Sequence, residues 1–444
     1  MMGNIELIAE SGVVGAGGAG FPTHVKLSGS GDVVVINAAE CEPLLHKDKE
    51  LIRLYADKLV CGLSAAMRLI GAKRGIVGVK RKYVDVIERL NSEFVTGMEV
   101  GFLDDTYPAG DELVLIYEVL GRVVLPGGLP ISVGAVVLNV ETAFNISAAI
   151  EGKPVTEKYI SVSGAVNHPC TVCVPVGSSL GEVVKAAGGV IVSDPVFVVG
   201  GAMMGYVEQD LSKPVTKTTG GIIVLPRDHF VVQRKLWDWS KVVRVGRSAC
   251  DQCSFCTELC PRNLLGHPVT PHIAMRSLGF SESAKSNVLG TQFCSECNLC
   301  SYCSCPEGLD PRNVCAENKR RILAELRNGA PRWSNPPFRK DRSKQHFKNR
   351  RMPTERLIKK IGLANYVNKA PLKEGVLDVT QVVIPLQQHI GAPSTPIVKQ
   401  GNKISKGDLI AIKNQSALGA NIHASISGKI TKIENNSITI KKES

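Results

Sequence analysis

The hydrophobic rhythm of the chain changes several times, and each change marks a different kind of structure. Up to about residue 150, short unbroken apolar runs alternate with helical periodicity. Asp32–Asn37 (DVVVIN) and Gly75–Val79 (GIVGV) read as buried strands. Lys49–Leu69, with Leu51, Leu54, Leu59, Leu63 and Met67 at helical spacing, and Val84–Phe94 read as helices. This alternation predicts an α/β layer around a mainly parallel sheet. From 155 to 235 the runs shorten. Strands at Tyr159–Gly164, Val196–Val199 and Gly221–Leu225, with a short helix over Gly181–Ala187, predict a small α+β unit of β-grasp type. Cysteine-dense helical sequence fills 245–329. A proline-containing stretch, 330–375, follows it. From 379 to 444 only short β-type runs remain, separated by glycine turns, which predicts an all-β barrel or sandwich.

The chain has 444 residues, 44% hydrophobic and 21% charged, enough to bury several cores and to exclude disorder throughout. Aromatics at 5% speak against a stacking platform for single-stranded nucleic acid. The net charge is +12, but Arg332–Lys360 alone carries eleven Lys/Arg against two acids, leaving the rest close to neutral. The basicity therefore reads as one solvated linker able to touch an acidic partner, with no nucleic acid expected. Val123–Val140 is uncharged for 18 residues. Pro126, Gly127, Gly128, Pro130 and Gly134 interrupt it, so it reads as strand–turn–strand and not as a membrane span. No secretory pattern opens the chain, and the expectation is a soluble cytoplasmic protein.

Fourteen cysteines in such a chain point to metal or redox chemistry before disulfides. Cys250-x2-Cys253-x2-Cys256-x3-Cys260-Pro261 has the spacing of the bacterial ferredoxin run. Cys294-x2-Cys297-x2-Cys300-x4-Cys305-Pro306 repeats it with one extra residue. Three thiolates on one loop take three corners of a cubane, and the fourth, at the start of a helix, reaches the other cluster. The spacing thus predicts two 4Fe–4S clusters with crossed ligands. Cluster 1 takes Cys250, Cys253, Cys256 and Cys305; cluster 2 takes Cys294, Cys297, Cys300 and Cys260. Zinc also accepts four thiolates, and Cys303 competes with Cys305; the doubled motif and the proline after Cys305 favour the assignment given. Cys170-x2-Cys173 has no partner pair and reads as structural. Cys61 and Cys315 read as ordinary helix positions.

Gly12–Thr23 (GVVGAGGAGFPT) is dense in glycine, so its backbone N–H groups can close on an anion or a flat ring where any Cβ would collide. No clear strand precedes it, as a dinucleotide fingerprint requires. On spacing alone, nucleotide binding and a structural loop both stand. Asn37–Pro43 (NAAECEP) follows an apolar strand, and carboxylates there suit ribose hydroxyls or a flavin edge; a solvated turn is the other reading.

Gly15–Lys26 (GAGGAGFPTHVK) and Asn37–Pro43 resemble the flavin- and NADH-binding subunit of respiratory complex I. They are still more similar to its relatives, the C subunit of Rnf electron-transport complexes and the cobalamin reductases of propanediol-utilisation microcompartments. Tyr107–Glu112 (YPAGDE), Leu125–Pro130 (LPGGLP), Gly200–Gly205 (GGAMMG), Lys217–Thr219 and Ile384–Pro393 (IPLQQHIGAP) extend the resemblance over nearly the whole chain except the basic stretch. The C-terminal place of the all-β tail and the extra residue before Cys305 are similar to the reductase family. The resemblance implies a Rossmann-like FMN/NADH domain over 1–150, a soluble-ligand-binding β-grasp domain over 155–235 and an α-helical bis-4Fe–4S ferredoxin domain over 245–329. A basic linker over 330–375 and a barrel-sandwich hybrid over 379–444 complete it.

The same resemblance implies FMN as cofactor and NADH as electron donor. Gly15, Gly17, Gly18, Ala19, Gly20 and Phe21 would wrap FMN and the nicotinamide, and Lys26 would meet a phosphate. Asn37 and Glu40 would face the flavin, and Glu42 and Glu112 would lie nearer the dinucleotide. One departure is Ala16, which stands where the complex I loop has arginine and makes NADH contact less secure than FMN. The implied activity is that of an NADH-dependent oxidoreductase passing electrons through FMN and both clusters to a corrinoid, returning cob(III)alamin or cob(II)alamin toward Co(I) for a B12-dependent diol dehydratase. A cobalamin adenosyltransferase and microcompartment shell or enzymes are the implied partners, and a bacterial microcompartment the implied location. An Rnf-type electron-transport component and a non-catalytic electron-wiring module are the alternatives. The tail hairpin Ala417–Ala424 holds no lysine for a swinging arm, and His389 and His423 read as packed residues before cobalt ligands.

Overall fold

The computed structural model describes residues 4–279, 285–329, 338–339, 347–434 and 436–443. The first unit opens with α1 (Asn4–Glu10) and α2 (Thr23–Lys26). Its strands are β1 (Val33–Asn37), β2 (Arg74–Lys80), β3 (Met98–Leu103), the short β4 (Thr106–Tyr107) and β5 (Ala135–Asn139), with α3 (Lys47–Ile70), α4 (Val84–Asn91), α5 (Glu112–Leu120) and α6 (Val140–Ile150) between and after them. Four strands form a parallel sheet in the order β3-β2-β1-β5. Alternate residues of each strand point to opposite faces. Val34 and Ile36 pack under α3 and α6, whereas Val33 and Val35 pack under α5. α3 and α6 approach so closely that a Cβ at Gly62 would lie 1.8 Å from the Ala143 carbonyl oxygen. The chain steps from β1 outward to β2 and β3, then returns to place β5 on the other side of β1. The crevice beyond the C-terminal ends of β1 and β5 is therefore a topological switch point, where Asn37 and Asn139 end their strands in register.

The uncharged run Val123–Val140 contains one strand, not two. Only Ala135–Asn139 joins the sheet, after a single 3₁₀ turn at Pro130–Val133. Pro126 and Pro130 have no N–H to give a ladder, and Gly127 and Gly134 take positive φ of 78° and 76°.

The second unit holds β6 (Glu157–Gly164), β7 (Cys170–Pro175), α7 (Leu180–Ala186), β8 (Pro195–Val199), β9 (Tyr206–Glu208) and β10 (Gly221–Pro226). Ser179 and Glu182 start α7 with a capping box. The stretch expected as a linker is described mainly from Phe347 on, and there it is folded. β11 (Met352–Pro353) pairs with β4, the helix Thr354–Lys360 follows, and β12 (Leu372–Val376) pairs with β7. The mixed sheet then runs β12-β7-β6-β10-β8-β9. Leu357, Ile361 and Leu363 are fully buried among Leu44, Tyr107 and Val232, so apolar positions beneath the surface charge fix this segment.

Short helices carry the cysteines, flanked by Trp239–Ala249 and Pro311–Arg327. The tail comprises β13 (Gln381–Pro385), β14 (Thr395–Pro396), β15 (Lys403–Ile404), β16 (Leu409–Ile412), β17 (Ile422–His423), β18 (Gly428–Glu434) and β19 (Ser437–Lys441). These form sheets ordered β13-β19-β18-β15 and β14-β16-β17 around Ile384, Ile410, Ile430, Ile438 and Ile440. Among the described residues no helix is long and apolar enough to cross a membrane.

Candidate cofactor sites

The glycine loop sits between α1 and α2, at the switch point. Its base is pinched by the Gly15 N–H donating to the Phe21 carbonyl (2.9 Å) and the Thr23 N–H to the Val13 carbonyl (3.1 Å). The Ala16 N–H donates to Thr142 Oγ1 (2.9 Å) at the start of α6. A Cβ at Gly17 would meet the Asn139 Cβ at 3.3 Å, while one at Gly18, whose φ is +115°, would meet nothing within 4 Å. Gly17, Gly18 and Ala19 are exposed. The loop thus presents bare backbone to open space above the switch point, a surface that a flat ring or a phosphate can approach and that fits FMN. Ala16 is buried, so its methyl faces the protein.

Asn37 is held at the crevice by its Nδ2, which donates to the Gly110 carbonyl (2.9 Å). Glu40 is turned away. Its carboxylate accepts from the Asp48 N–H (2.8 Å) and pairs with Lys49 (2.8 Å), closing the free amides at the start of α3. Glu42 accepts from the Met203 and Met204 N–H groups (2.9 and 2.8 Å), docking the first unit on the Gly200–Gly205 turn of the second; burial pushes its carboxyl up. Lys26 and Glu112 pair with each other at 2.8 Å. Of the expected FMN and NADH residues, the loop and Asn37 gather at the opening, whereas Glu40 and Glu42 serve helix and domain contacts.

A buried charged layer, which sequence reasoning missed, lies under the loop. Lys47 meets Asp48 (2.5 Å) and Glu141 (3.0 Å), and Glu141 also binds Lys158 and accepts the Tyr159 N–H (3.1 Å). Lys158 Nζ reaches the Ala16 carbonyl (3.3 Å), and Asn139 Nδ2 donates to Asp48 (2.8 Å). Burial works against ionisation of Glu141, but Lys158 and Lys47 outweigh it and hold the carboxyl below its usual range.

The tail and the second unit close on the other side of the loop. A Cβ at Gly20 would lie 2.9 Å from Thr218 Cγ2 and 3.1 Å from His389 Cα, and the Ile390 N–H donates to the Gly20 carbonyl (3.0 Å). Lys217 is 3% exposed, and its Nζ donates to the carbonyls of Gly12 (2.7 Å) and Asn421 (3.0 Å). Among the described residues no carboxylate pairs with it, and burial pushes its ammonium down to about 7. His389 accepts the Ala420 N–H (3.2 Å), and burial lowers His423 to about 4; both are packed in the tail.

The eight motif cysteines divide into two quartets. Burial pushes the Cys256 thiol up to about 12, and the Cys305, Cys250, Cys253 and Cys260 thiols act in the same direction. Burial pushes Cys260 up to about 12 as well, with Cys294 adding to it, and burial raises Cys300, with Cys294, Cys297, Cys260 and Cys256 adding to it. Both loops share one backbone device: Gln252 and Ser254 in the first, and Glu296 and Asn298 in the second, take left-handed φ between 59° and 68°. These turns aim N–H groups at sulfur, as in Glu296 N–H to Cys294 Sγ (3.3 Å). Cys260 caps the helix Pro261–Leu264, but Cys305 does not start a helix. The extra residue is absorbed in a π-type turn over Cys300–Ser304, closed by the Cys305 N–H on the Cys300 carbonyl (3.1 Å). Cys303 packs instead beside Leu45 and Tyr107, its carbonyl bound by Lys360 (2.6 Å). Among the described residues no trio of His, Cys, Asp or Glu is close enough to hold one metal ion. Two cysteine loops of matching spacing, each with an N–H group donating to sulfur, fit 4Fe–4S clusters.

The second quartet is joined to the first unit. Tyr107 Oη donates to the Cys297 carbonyl (2.8 Å), and Arg262, two residues after Cys260, pairs with Asp111 (2.9 Å), the cap of α5. Cys170 and Cys173 sit three apart on β7 and face opposite sides, one toward the Ala186 carbonyl and the other toward Glu157, so they are no redox pair.

Comparison with known families matches residues 8–148 to the Nuo51 FMN-binding domain, 159–207 to the SLBB domain, 249–310 to a 4Fe-4S dicluster domain and 362–444 to the RnfC barrel sandwich hybrid domain. The cobalamin reductases PduS of Citrobacter freundii and Salmonella typhimurium are each 43% identical over 98% of this chain and 95% of their own length. The C subunit of the proton-translocating ferredoxin:NAD(+) oxidoreductase complex of Clostridium ljungdahlii is 35% identical over 58% of this chain and 55% of its own. Among solved structures, an NAD+-reducing [NiFe]-hydrogenase in the air-oxidised state aligns over 79% of this chain and 67% of its own, at 22% identity and a TM-score of 0.49. The chain therefore carries FMN-binding and 4Fe–4S dicluster domains, with an SLBB domain and a barrel-sandwich tail.

Proposed function

Because the chain belongs to the cobalamin reductase family of PduS, we propose that it is an NADH-dependent flavin and iron–sulfur oxidoreductase whose acceptor is a corrinoid. The observation that carries this reading is the bare-backbone loop at the switch point of a unit that meets the Cys260 and Cys297 segments through Asp111 and Tyr107. Gly15–Phe21 and Asn37 hold FMN, with Asn139 and Thr142 supporting the loop from below. Cys250, Cys253, Cys256 and Cys305 hold one 4Fe–4S cluster, and Cys260, Cys294, Cys297 and Cys300 the other. Bound there, FMN would supply the exchange of a hydride pair for single electrons, and clusters held by the cysteines would supply one-electron carriage. Each NADH yields NAD+, one proton and two electrons, which reduce two cob(III)alamin to cob(II)alamin or one corrinoid by two steps.

The protein's own residues orient and insulate. Thr142 and Lys158 fix the Ala16 peptide, and the N–H···S bonds at Cys294 and Cys305 stabilise thiolate charge. In finer terms the domains are Rossmann-like, β-grasp, ferredoxin and barrel-sandwich. On the same reading the protein works in a microcompartment, supplying reduced corrinoid to an adenosyltransferase for a diol dehydratase. The test is an anaerobic titration of reconstituted protein with NADH, followed by hydroxocobalamin. Flavin bleaching and catalytic cob(II)alamin formation support the reading. Flavin and cluster reduction without corrin turnover assigns another acceptor, and no bleaching by NADH makes the protein a wire.

A further inference from the structure

An open cavity lies on the cysteine domain. It encloses about 620 Å³ between Trp239–Ala249 and Pro311–Arg327, and two of the chain's three tryptophans, Trp237 and Trp239, line it. Its inner wall is Glu296, which lies inside the Cys294–Cys297 loop and whose N–H touches Cys294 Sγ. Lys319, also on the wall, pairs with Glu296 (3.0 Å) and donates to the Cys294 carbonyl (2.8 Å). A molecule in this cavity is thus separated from a cluster ligand by one side chain.

The lining chemistry selects among flat ligands. Glu296 pairs with Lys319 and Arg312, and Glu317 with Arg320 and Arg321, so each charged group of the lining is held in an ion pair. No bare glycine backbone lines the cavity to cradle a pyrophosphate, so a dinucleotide is disfavoured. The indoles offer apolar faces. Trp237 is braced between Arg234 (4.2 Å) and Lys241 (4.4 Å), and Trp239 is partly exposed at the mouth. Apolar faces within a rim of ion-paired and hydrogen-bonding groups, Asn313 among them, suit a macrocycle with apolar faces and an amide rim. The volume falls in the range of small-molecule pockets, roughly 300–1,000 Å³, and accommodates one face or edge of such a ring.

We propose that this cavity, bounded by Trp237, Trp239 and Glu296, is the docking site of the corrin macrocycle. The inference rests on the corrinoid reading above. Trp239→Ala removes the mouth indole without touching the braced Trp237, and Ala316→Phe fills the cavity from the opposite helix. In the reconstituted holoprotein, hydroxocobalamin binding by equilibrium dialysis weakens at least tenfold in both variants. The KM for hydroxocobalamin rises by a similar factor, while NADH-driven ferricyanide reduction and the iron–sulfur EPR signals stay within twofold of the parent. Unchanged binding and KM in both variants overturn the site but leave the corrinoid reading standing. A parent protein that bleaches with NADH yet neither binds nor reduces hydroxocobalamin overturns that reading and the site with it. Loss of the EPR signals together with corrin binding refutes the proposal by assigning Trp239 and Ala316 to the integrity of the cysteine domain.

Discussion

Glu141 is the sharpest place to test the buried layer under the glycine loop. Its side chain is 1% exposed and faces two buried ammonium groups, Lys158 and Lys47. Glu141→Gln keeps an oxygen for the Tyr159 N–H and nearly the same volume, so it removes charge and little else. Stripping one partner from a buried ion pair costs about 3–5 kcal/mol, because the remaining charge stays desolvated. Lys47 retains Asp48, which places the expected loss near the lower end, about 3 kcal/mol. Lys158 also holds the Ala16 carbonyl, so FMN retention falls with stability. The assay is urea unfolding of the first domain, followed by release of flavin fluorescence, with occupancy measured after desalting. The sign with pH follows from a depressed folded carboxyl. The stabilisation is present above the unfolded value of about 4.3 and is lost as pH falls through the lower folded one, so the variant lacks that part of the acid limb. Glu141→Leu combined with Lys158→Met removes both charges and recovers most of the loss. A cost below about 1 kcal/mol, or a double variant no better than the single, refutes the reasoning.

Cys303→Ala retains the iron of both clusters, whereas Cys305→Ala loses one cluster's share, as read by iron analysis and EPR. Asp105→Asn strands the buried Lys80, whose ammonium lies 3.0 Å from the carboxylate. Burial opposes ionisation of Asp105, but Lys80 and Lys82 hold its carboxyl down to about 2. Solvent screening of the half-exposed carboxylate reduces the expected loss at neutral pH to about 1 kcal/mol, and the difference from the parent vanishes as pH falls from about 4 to 2 in acid denaturation. Lys217 gives a slope of the same sign at higher pH, but as a buried cation it costs stability while protonated. Its folded value of about 7 lies below the unfolded lysine range, so the unfolded chain binds more protons between about 7 and 10.4 and stability rises across that window. Lys217→Met flattens that rise, measured by thermal unfolding at pH 7 and pH 9.5.

What was legible in the sequence was what lies within one element. β1 and β2 announce themselves because strands buried on both faces are apolar throughout. The cysteine quartets announce themselves because cubane geometry fixes local spacing. Even the shared left-handed positions, Gln252 and Ser254 against Glu296 and Asn298, follow from matching loop lengths. Asn139 carried a signal that went unread: Leu138-Asn139-Val140-Glu141 echoes Ile36-Asn37-Ala38-Ala39-Glu40 at the neighbouring strand end. It was hidden in an uncharged run whose prolines and glycines suggested a hairpin. The helix Thr354–Lys360 was hidden by counting its charges without asking where Leu357 and Ile361 point. Glu40, Lys158 and Lys217 could not be read at all. Their burial is made by segments more than a hundred residues apart, or by a helix start whose free amides compete for the carboxylate.

The junction at Lys217 also explains why the tail belongs to the cofactor site. Gly12 and Gly20 have no room for a Cβ because the tail backbone at Asn421 and His389 occupies that space. The Gly15–Phe21 turn is therefore shaped from three sides: α6 below through Thr142, the second unit through Lys217 and Thr218, and the tail through Ile390. A ligand that prefers this shape favours docking of the tail by the same free energy with which the docked tail favours the ligand. The contacts require only that β17 and the Gln388–Ile390 turn reach the loop in space, so the place of the tail in the sequence is free to vary while the loop geometry is kept.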